Sequence, residues 1–327
     1  MDRMSVLLEL REQDAPTIYF IGVTTAQSSI MRVFPRWAAV LGIDAKIVGV
    51  DFALHDRPER YRQIVEHIKA DSLSMGALIT AHKLDLLTAA RDLFDSLGPY
   101  AMCLGEVSCI SKAGGKLIGK AMDPISSGLA LDAFVPEDHW ASGAEVLILG
   151  AGGASLALSV NLLERAKTGR PHPHRIVVSN RSPGRLDEMR EVHRRIGAGV
   201  PVDYVLTPVA AENDRLCAEM AAGSLIVNAT GLGKDRPGSP VSDQVMFPQD
   251  ACVWDFNYRG DLLFLEQARR QRADLDLVIE DGWTYFIHGW TRVISEVFGV
   301  DIPTSGPVIE RLSEVATQAR PISKETR

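Results

Sequence analysis

Cysteine is scarce in this chain and unpatterned. Cys103, Cys109, Cys217 and Cys252 are the only four in 327 residues, and they show no paired metal spacing. Reduced, mostly buried thiols in a cytoplasmic protein are the expectation that follows. The eight histidines form no HxxxH or HxH cluster with a nearby carboxylate, so no catalytic metal is expected. No apolar run is long enough to cross a bilayer. The N-terminal stretch MDRMSVLLELREQDAP has a short apolar run broken by Glu9, Arg11 and Glu12, unlike a secretory signal. Positive charge is short as well. With 35 Lys and Arg against 42 Asp and Glu, the net charge is −7, which argues against a broad nucleic-acid footprint and leaves room for a local basic pocket. Neither an internal repeat nor a low-complexity tract is visible. The expected partner is a small molecule, with no nucleic acid and no membrane, and the protein is expected to be a monomer or a homodimer.

What is present is enough apolar material for two cores. At 327 residues and 46% hydrophobic content, two domains are the natural expectation. Short apolar runs alternate with helical patterns throughout, as α/β proteins with parallel sheets require. Strands are expected at 17–23, 45–52 and 77–80, with helices at 31–41, 58–70, 84–97 and 125–134. Runs at 107–111 and 116–118 flank Gly114-Gly115 and predict a hairpin. Pro136 and the polar residues after it predict a linker. A second α/β series follows, with strands at 146–149, 175–179, 203–206, 225–228, 252–255 and 277–279. The apolar, aromatic stretch 283–298 predicts a helix that packs back on the first domain.

The most informative segment is AEVLILGAGGASLAL, Ala144 to Leu158. A buried strand, a glycine turn and a helix follow one another in the order that binding a pyrophosphate needs. Gly150 permits a tight turn, and Gly152 lets the backbone approach phosphates. The helix opening at Gly153-Ala154 supplies free N–H groups and a partial positive charge. The third small position is Ser155. Gly150, Ala151, Gly152, Gly153 and Ala154 are therefore candidate dinucleotide contacts. The next strand ends in Asn180-Arg181-Ser182, with Arg185 close behind. An acidic residue there would suit a free ribose 2′-hydroxyl. Two guanidiniums and short polar side chains suit a 2′-phosphate instead, so NADP is expected over NAD. Solvated surface arginines are the alternative, and NAD then stays open.

The order GAGGAS, SNRS, Asn228-Ala229-Thr230-Gly231, VWDFNY and DGW before a terminal helix resembles the shikimate dehydrogenase family. The first half agrees. GVTTAQSS, Gly22 to Ser29, resembles the family's substrate loop, and Ile79-Thr80-Ala81-His82-Lys83 its strand-end motif. Gly105-Glu106-Val107-Ser108 stands where the family has Gly-x-Val-Asn, and Gly119 to Asp123 where it has a run ending in the catalytic aspartate. The resemblance implies an N-terminal α/β substrate-binding domain and a Rossmann-type NAD(P)-binding domain with a cleft between them. The first would span 1–123, completed by 281–327, and the second 124–280. It implies reversible hydride transfer between NADP and a secondary alcohol or ketone on a carboxylated ring. Lys83 and Asp123 would be catalytic. Asn228, Ala229, Thr230 and Gly231 would join the cofactor set, and Ser28, Thr80, Ser108, Tyr258 and His288 would touch substrate.

A lysine just past a strand end can take the proton that alcohol oxidation leaves behind, and an aspartate can hold it in place. The plainer alternative is that Lys83 opens an exposed helix and Asp123 caps the next. Several family positions have changed. Ile30 and Met31 replace a serine and a proline, Ser108 an asparagine, Ala121 and Met122 an Asn-Thr pair, and Gly289 a glutamine. Lost polar contacts in a closed site cost about 1–3 kcal/mol each, so the expected substrate is not necessarily shikimate but a different one, less hydroxylated and either aromatic or larger. Trp283, Tyr285 and Trp290 are candidates to line its site. The competing readings are a non-catalytic NAD(P) sensor and a lyase or amine-forming reductase on the same fold.

Overall fold

A computed structural model describes residues 8–197, 199–234 and 236–320. The first seven residues of the stretch read against a secretory signal, and the outermost residues of the 1–123 and 281–327 ranges, lie outside the described residues. The chain divides into two compact units, residues 8–122 with 289–320, and residues 123–288.

The first unit is built on a six-stranded sheet. Its strands are β1 (Thr17–Gly22), β2 (Lys46–Asp51), β3 (Ser74–Ile79), β4 (Ser96–Leu97), β5 (Cys109–Ala113) and β6 (Lys116–Lys120), in the order β2-β1-β3-β5-β6-β4. β1 runs parallel to both β2 and β3, whereas β5 is antiparallel to β3 and β6. Helices α1 (Ile30–Leu41), α2 (Pro58–Ala70), α3 (Lys83–Ala90) and α4 (Pro99–Leu104) connect the strands. The chain leaves β1 toward β2 on one side and returns as β3 on the other. Such a reversal is where parallel sheets commonly place a binding site, beyond the carboxyl ends of the flanking strands.

Three details of this unit differ from the sequence expectation. The helix expected through Leu97 stops at Ala90, and Ser96–Leu97 instead pairs parallel to β6. The Asp95 carboxylate accepts the Leu117 N–H at 2.8 Å, fixing that edge, so a long-range pairing overrides local helix preference. α4 gave no recognised signal, being short and flanked by Gly98-Pro99 and Gly105. β3 begins at Ser74, three residues before the expected start. The Gly114-Gly115 hairpin forms as expected, with φ of +57° and +76°, the left-handed pair that two-residue turns need.

In the second unit, α5 (Asp123–Asp132) precedes β7 (Val146–Leu149), and a 3₁₀ segment, Glu137–Ser142, occupies the expected linker. The sheet continues with β8 (Ile176–Asn180), β9 (Val202–Leu206), β10 (Leu225–Asn228), β11 (Cys252–Asp255) and β12 (Val278–Glu280). Between them lie α6 (Gly153–Lys167), α7 (Pro183–Ile196), α8 (Ala210–Glu219), α9 (Leu263–Arg269) and α10 (Arg272–Leu275). All neighbours pair in parallel, in the order β9-β8-β7-β10-β11-β12. This is the dinucleotide-binding topology 3-2-1-4-5-6, with its reversal between β7 and β10. β7 reads VLIL and is buried throughout, because helices cover both faces of a parallel sheet.

The C-terminal helices are α11 (Trp283–Phe298) and α12 (Pro307–Gln318). Residues of α11 through His288 belong to the second unit and the rest to the first. Within the first unit, Trp290 meets Phe20 edge-on at 5.2 Å, and the Trp37 indole N–H donates to the Leu312 carbonyl at 2.7 Å. No described helix is long and apolar enough to cross a membrane.

Candidate functional site

The reversal between β7 and β10 opens into a cleft of about 490 Å³. Its floor is the turn after β7. Gly150 has φ of +104°, and a Cβ there would lie 3.0 Å from the Ala229 carbonyl oxygen, so no other residue fits without moving the backbone. Gly152 stands at the N-cap of α6 with no side-chain cap, which leaves the first N–H groups of that helix for a ligand. Asn180 ties the turn to the next strand. Its Oδ1 accepts the Ala151 N–H at 3.3 Å, and its Nδ2 donates to the Ser182 carbonyl and hydroxyl at 2.9 and 3.1 Å. Arg181 and Arg185 both line the cleft. They are not equivalent. Arg185 is held by Glu188 at 2.7 Å, one turn along α7, whereas Arg181 has no ion-pair partner among the described residues.

Opposite the turn, a buried polar network shapes the loop after β10. Asn228 and Asp255 are both 0% exposed. The Asn228 Oδ1 accepts from the Thr230 N–H at 3.1 Å and from its hydroxyl at 2.7 Å, while its Nδ2 donates to Asp255 Oδ2 at 2.9 Å. The Asn257 N–H donates to Asp255 Oδ1 at 2.8 Å, and its side chain donates to the Leu232 carbonyl at 2.9 Å. Ala229, Thr230 and Leu232 are thereby held along the cleft wall. Burial pushes the Asp255 carboxyl up to about 7, against the downward pull of these donors. Of the remaining candidates, Gly153 is the first residue of α6, with Ala154 next to it. Gly231 adopts φ of +76° in the loop.

The first unit places its candidates at the carboxyl ends of β1 and β3. Ser28 follows the 3₁₀ turn Thr25–Gln27 and is half-buried. Thr80 is exposed just past β3, its hydroxyl donating to the Ile21 carbonyl at 3.2 Å. His82 is fully buried, with Nδ1 at 2.9 Å from the Tyr61 hydroxyl, and burial depresses its pKa so that the ring stays neutral. Lys83 opens α3, its side chain 18% exposed and its Nζ 4.0 Å from Glu106 Oε1. Ser108 is buried, and its hydroxyl oxygen accepts the Met122 N–H at 2.8 Å. Asp123 opens α5 in the second unit. In that unit Tyr258 packs against Trp283 and Phe286 at 5.2 and 5.1 Å, and His288 is buried on α11. Trp283 and Trp290 are 6% and 5% exposed and serve as packing residues, and Tyr285 meets Phe256 edge-on at 4.8 Å.

No family model matches the chain. A curated relative named shikimate dehydrogenase (NADP(+)), from Lactococcus lactis subsp. cremoris strain MG1363, is 31% identical over 229 residues. That alignment covers 70% of this chain and 75% of the relative. This chain belongs to the shikimate dehydrogenase family. Solved structures agree on the fold. Quinate dehydrogenase from Corynebacterium glutamicum, in complex with NAD, superposes with a TM-score of 0.73 at 19% identity, covering 94% of this chain and all of that one (100%). A 5-ketofructose reductase of Gluconobacter sp. strain CHM43 gives 0.67 at 18% identity, covering 93% and 98%.

Set against the shikimate dehydrogenase pattern, four of the changed positions fall into two groups. Ile30, Ala121 and Met122 are 0%, 2% and 8% exposed, so apolar side chains have been absorbed into packing. Gly289 leaves space, since a Cβ there would meet no heavy atom within 4 Å. Three polar residues escaped the sequence reading. Thr207, at the end of β9, lines the cleft with a buried hydroxyl that has no hydrogen-bond partner, and exposed Arg236 lines it from the loop after β10. Thr207 directly follows β9, whose end borders the cleft, whereas Arg236 lies in a loop and carries no such mark in the sequence. The third is Glu106, visible only as an acidic residue inside the Gly-x-Val-Asn segment.

Proposed function

We propose that this shikimate dehydrogenase family member transfers a hydride between NADP(H) and a secondary alcohol or ketone on a cyclic, carboxylated substrate other than shikimate. Residues 123–288 would hold the cofactor, and the first unit would supply Lys83, Ser28, Thr80 and Ser108. The observation that carries the cofactor reading is the cleft at the β7/β10 reversal. Its glycine turn would be blocked by a Cβ, its helix start has free N–H groups, and its Thr207 hydroxyl lacks a partner. Each feature suits a phosphate-bearing dinucleotide. The L. lactis relative is named for NADP(+), and Arg181 supplies a guanidinium suited to the extra phosphate.

The bound nicotinamide would accept or supply the hydride. The chain's own task is then the proton. In alcohol oxidation the Lys83 amine takes the hydroxyl proton, and in ketone reduction the Lys83 ammonium returns it to the oxygen that gains negative charge. Asp123 remains the second proposed catalytic residue. Ser28, Thr80, Ser108, Tyr258 and His288 remain the proposed substrate contacts, and the packed positions 30, 121 and 122 are the reason to exclude shikimate.

The test is Lys83→Ala with NADPH binding and turnover measured separately. Turnover of cyclic hydroxy and keto acids should fall by about 10²–10⁴-fold, the usual worth of general acid–base catalysis, while NADPH affinity holds. A protein that only senses the nucleotide would show no turnover to lose.

A further inference from the structure

Helix α7 begins at the rim of the cleft with an arrangement that opposes its own dipole. Its N-cap, Ser182, makes no side-chain cap hydrogen bond, Pro183 follows, and the first turn holds no acidic residue. In place of an acid it carries Arg185, with Arg181 just ahead of the helix. Arg181, Ser182 and Arg185 all line the cleft. Cations and open N–H groups at the positive end of a helix suit an anion. Thr207 adds a second mark. Its N–H donates to the Asn180 carbonyl at 2.9 Å, which sets its buried, unpartnered hydroxyl beside the same strand end. The chain already supplies one anion here. Glu188, three residues along the same face of α7, meets Arg185 Nη1 with its Oε2 at 2.7 Å. Both side chains are well exposed, 49% and 65%, so the pair contributes little to stability and breaks easily. The neighbouring acid faces elsewhere. Asp187 pairs with Arg190, whose guanidinium lies over the Tyr204 ring at 4.6 Å.

We propose that Glu188 is a positioning residue that limits the preference of this chain for NADP over NAD, by holding the Arg185 guanidinium along α7. This rests on the reading of residues 123–288 as the cofactor site. A 2′-phosphate is close to doubly charged at neutral pH, and Arg181 meets it unopposed. Arg185 joins only by leaving Glu188, and the released carboxylate then repels the phosphate from within one helical turn. The cation gained and the anion uncovered largely cancel. NAD has a free hydroxyl at that point and gains from neither, so Glu188 acts on one cofactor and not on the other.

The experiment measures Kd of the full chain for NADPH and for NADH by nicotinamide fluorescence at low salt. Glu188→Gln should tighten NADPH binding by about fivefold, about twofold from the pair no longer broken and the rest from the repulsion removed. NADH affinity should stay within about twofold, and the NADPH gain should fade by about 0.5 M salt. In an Arg185→Ala background the gain from Glu188→Gln should fall to about twofold or less, since only the repulsion is left to remove. Asp187→Asn removes the same charge one residue away and should leave both affinities within about twofold. No NADPH gain, an equal gain for both cofactors, the same gain without Arg185, or an equal gain from Asp187→Asn would each overturn the assignment of Glu188 alone. If the native protein binds neither dinucleotide, the cofactor reading fails and this inference falls with it.

Discussion

Asp255 is a buried carboxyl whose titration should be visible in the stability of the whole fold. Burial carries it from an ordinary value of 3.8 up to about 7, with nearby Asp281 adding to the rise. The folded protein then binds this proton more tightly than the unfolded chain does. The associated stability is fully present below about pH 4 and is lost as pH rises to about 7. A shift of about 3 units corresponds to roughly 4 kcal/mol over the full window, of which roughly 2.5 kcal/mol falls between pH 5 and pH 8. Asp255→Asn removes the titration. It also spoils one contact, because both carboxylate oxygens accept hydrogen bonds, from the Asn257 N–H and from Asn228 Nδ2, and an amide offers one acceptor only. That mismatch costs about 1–3 kcal/mol at any pH. The variant should therefore be less stable than the native protein at pH 5 and should close the gap, or pass it, at pH 8. Urea unfolding at four pH values between 5 and 8, followed by circular dichroism, measures the swing. Parallel stability curves for the two proteins, within about 0.5 kcal/mol, would refute the placement of a neutral carboxyl in this network.

Two further predictions concern the cleft. Arg181→Ala should raise the KM for NADPH by about tenfold and leave that for NADH within twofold, as loss of a charge-assisted phosphate contact requires. Arg185→Ala should do less, because Glu188 already occupies that guanidinium. Gly150→Ala should destabilise the protein by more than about 1 kcal/mol and weaken NADPH binding, since φ of +104° and the Ala229 carbonyl both oppose a Cβ. Thermal melts with and without NADPH check both effects.

Residues 123–288 were legible because the features there are carried by backbone. A strand of VLIL, a positive-φ glycine and an uncapped helix start leave their marks in residue types that tolerate few substitutes. The ends of β7, β10 and β11 were read to the residue for the same reason, each being a short apolar run closed by a turn or a polar residue. Arg236 and Thr207 were not, because a loop arginine and a strand-end threonine look the same in sequence whether they face a cleft or bulk water. The strand at Ser96–Leu97 was hidden by its length. Two residues carry no periodicity, and only the pairing with Ile118 and Gly119 reveals them.

The first unit is harder to read because its proposed chemistry rests on which side chain is left without a partner. Ser108 and Glu106 illustrate the point. From sequence, Ser108 is the natural substrate contact, since it occupies the asparagine position of the family segment. In the fold its hydroxyl oxygen accepts the Met122 N–H, just ahead of Asp123, and so helps fix the path of the chain toward α5. That leaves its proton as the one donor it can still offer. Glu106 is the complement, a pure acceptor when ionised, buried where no protein donor reaches its Oε1. Substituting Ser108→Asn in this chain should therefore fail to restore shikimate turnover, because Ile30, Ala121 and Met122 remain packed where the family has polar side chains.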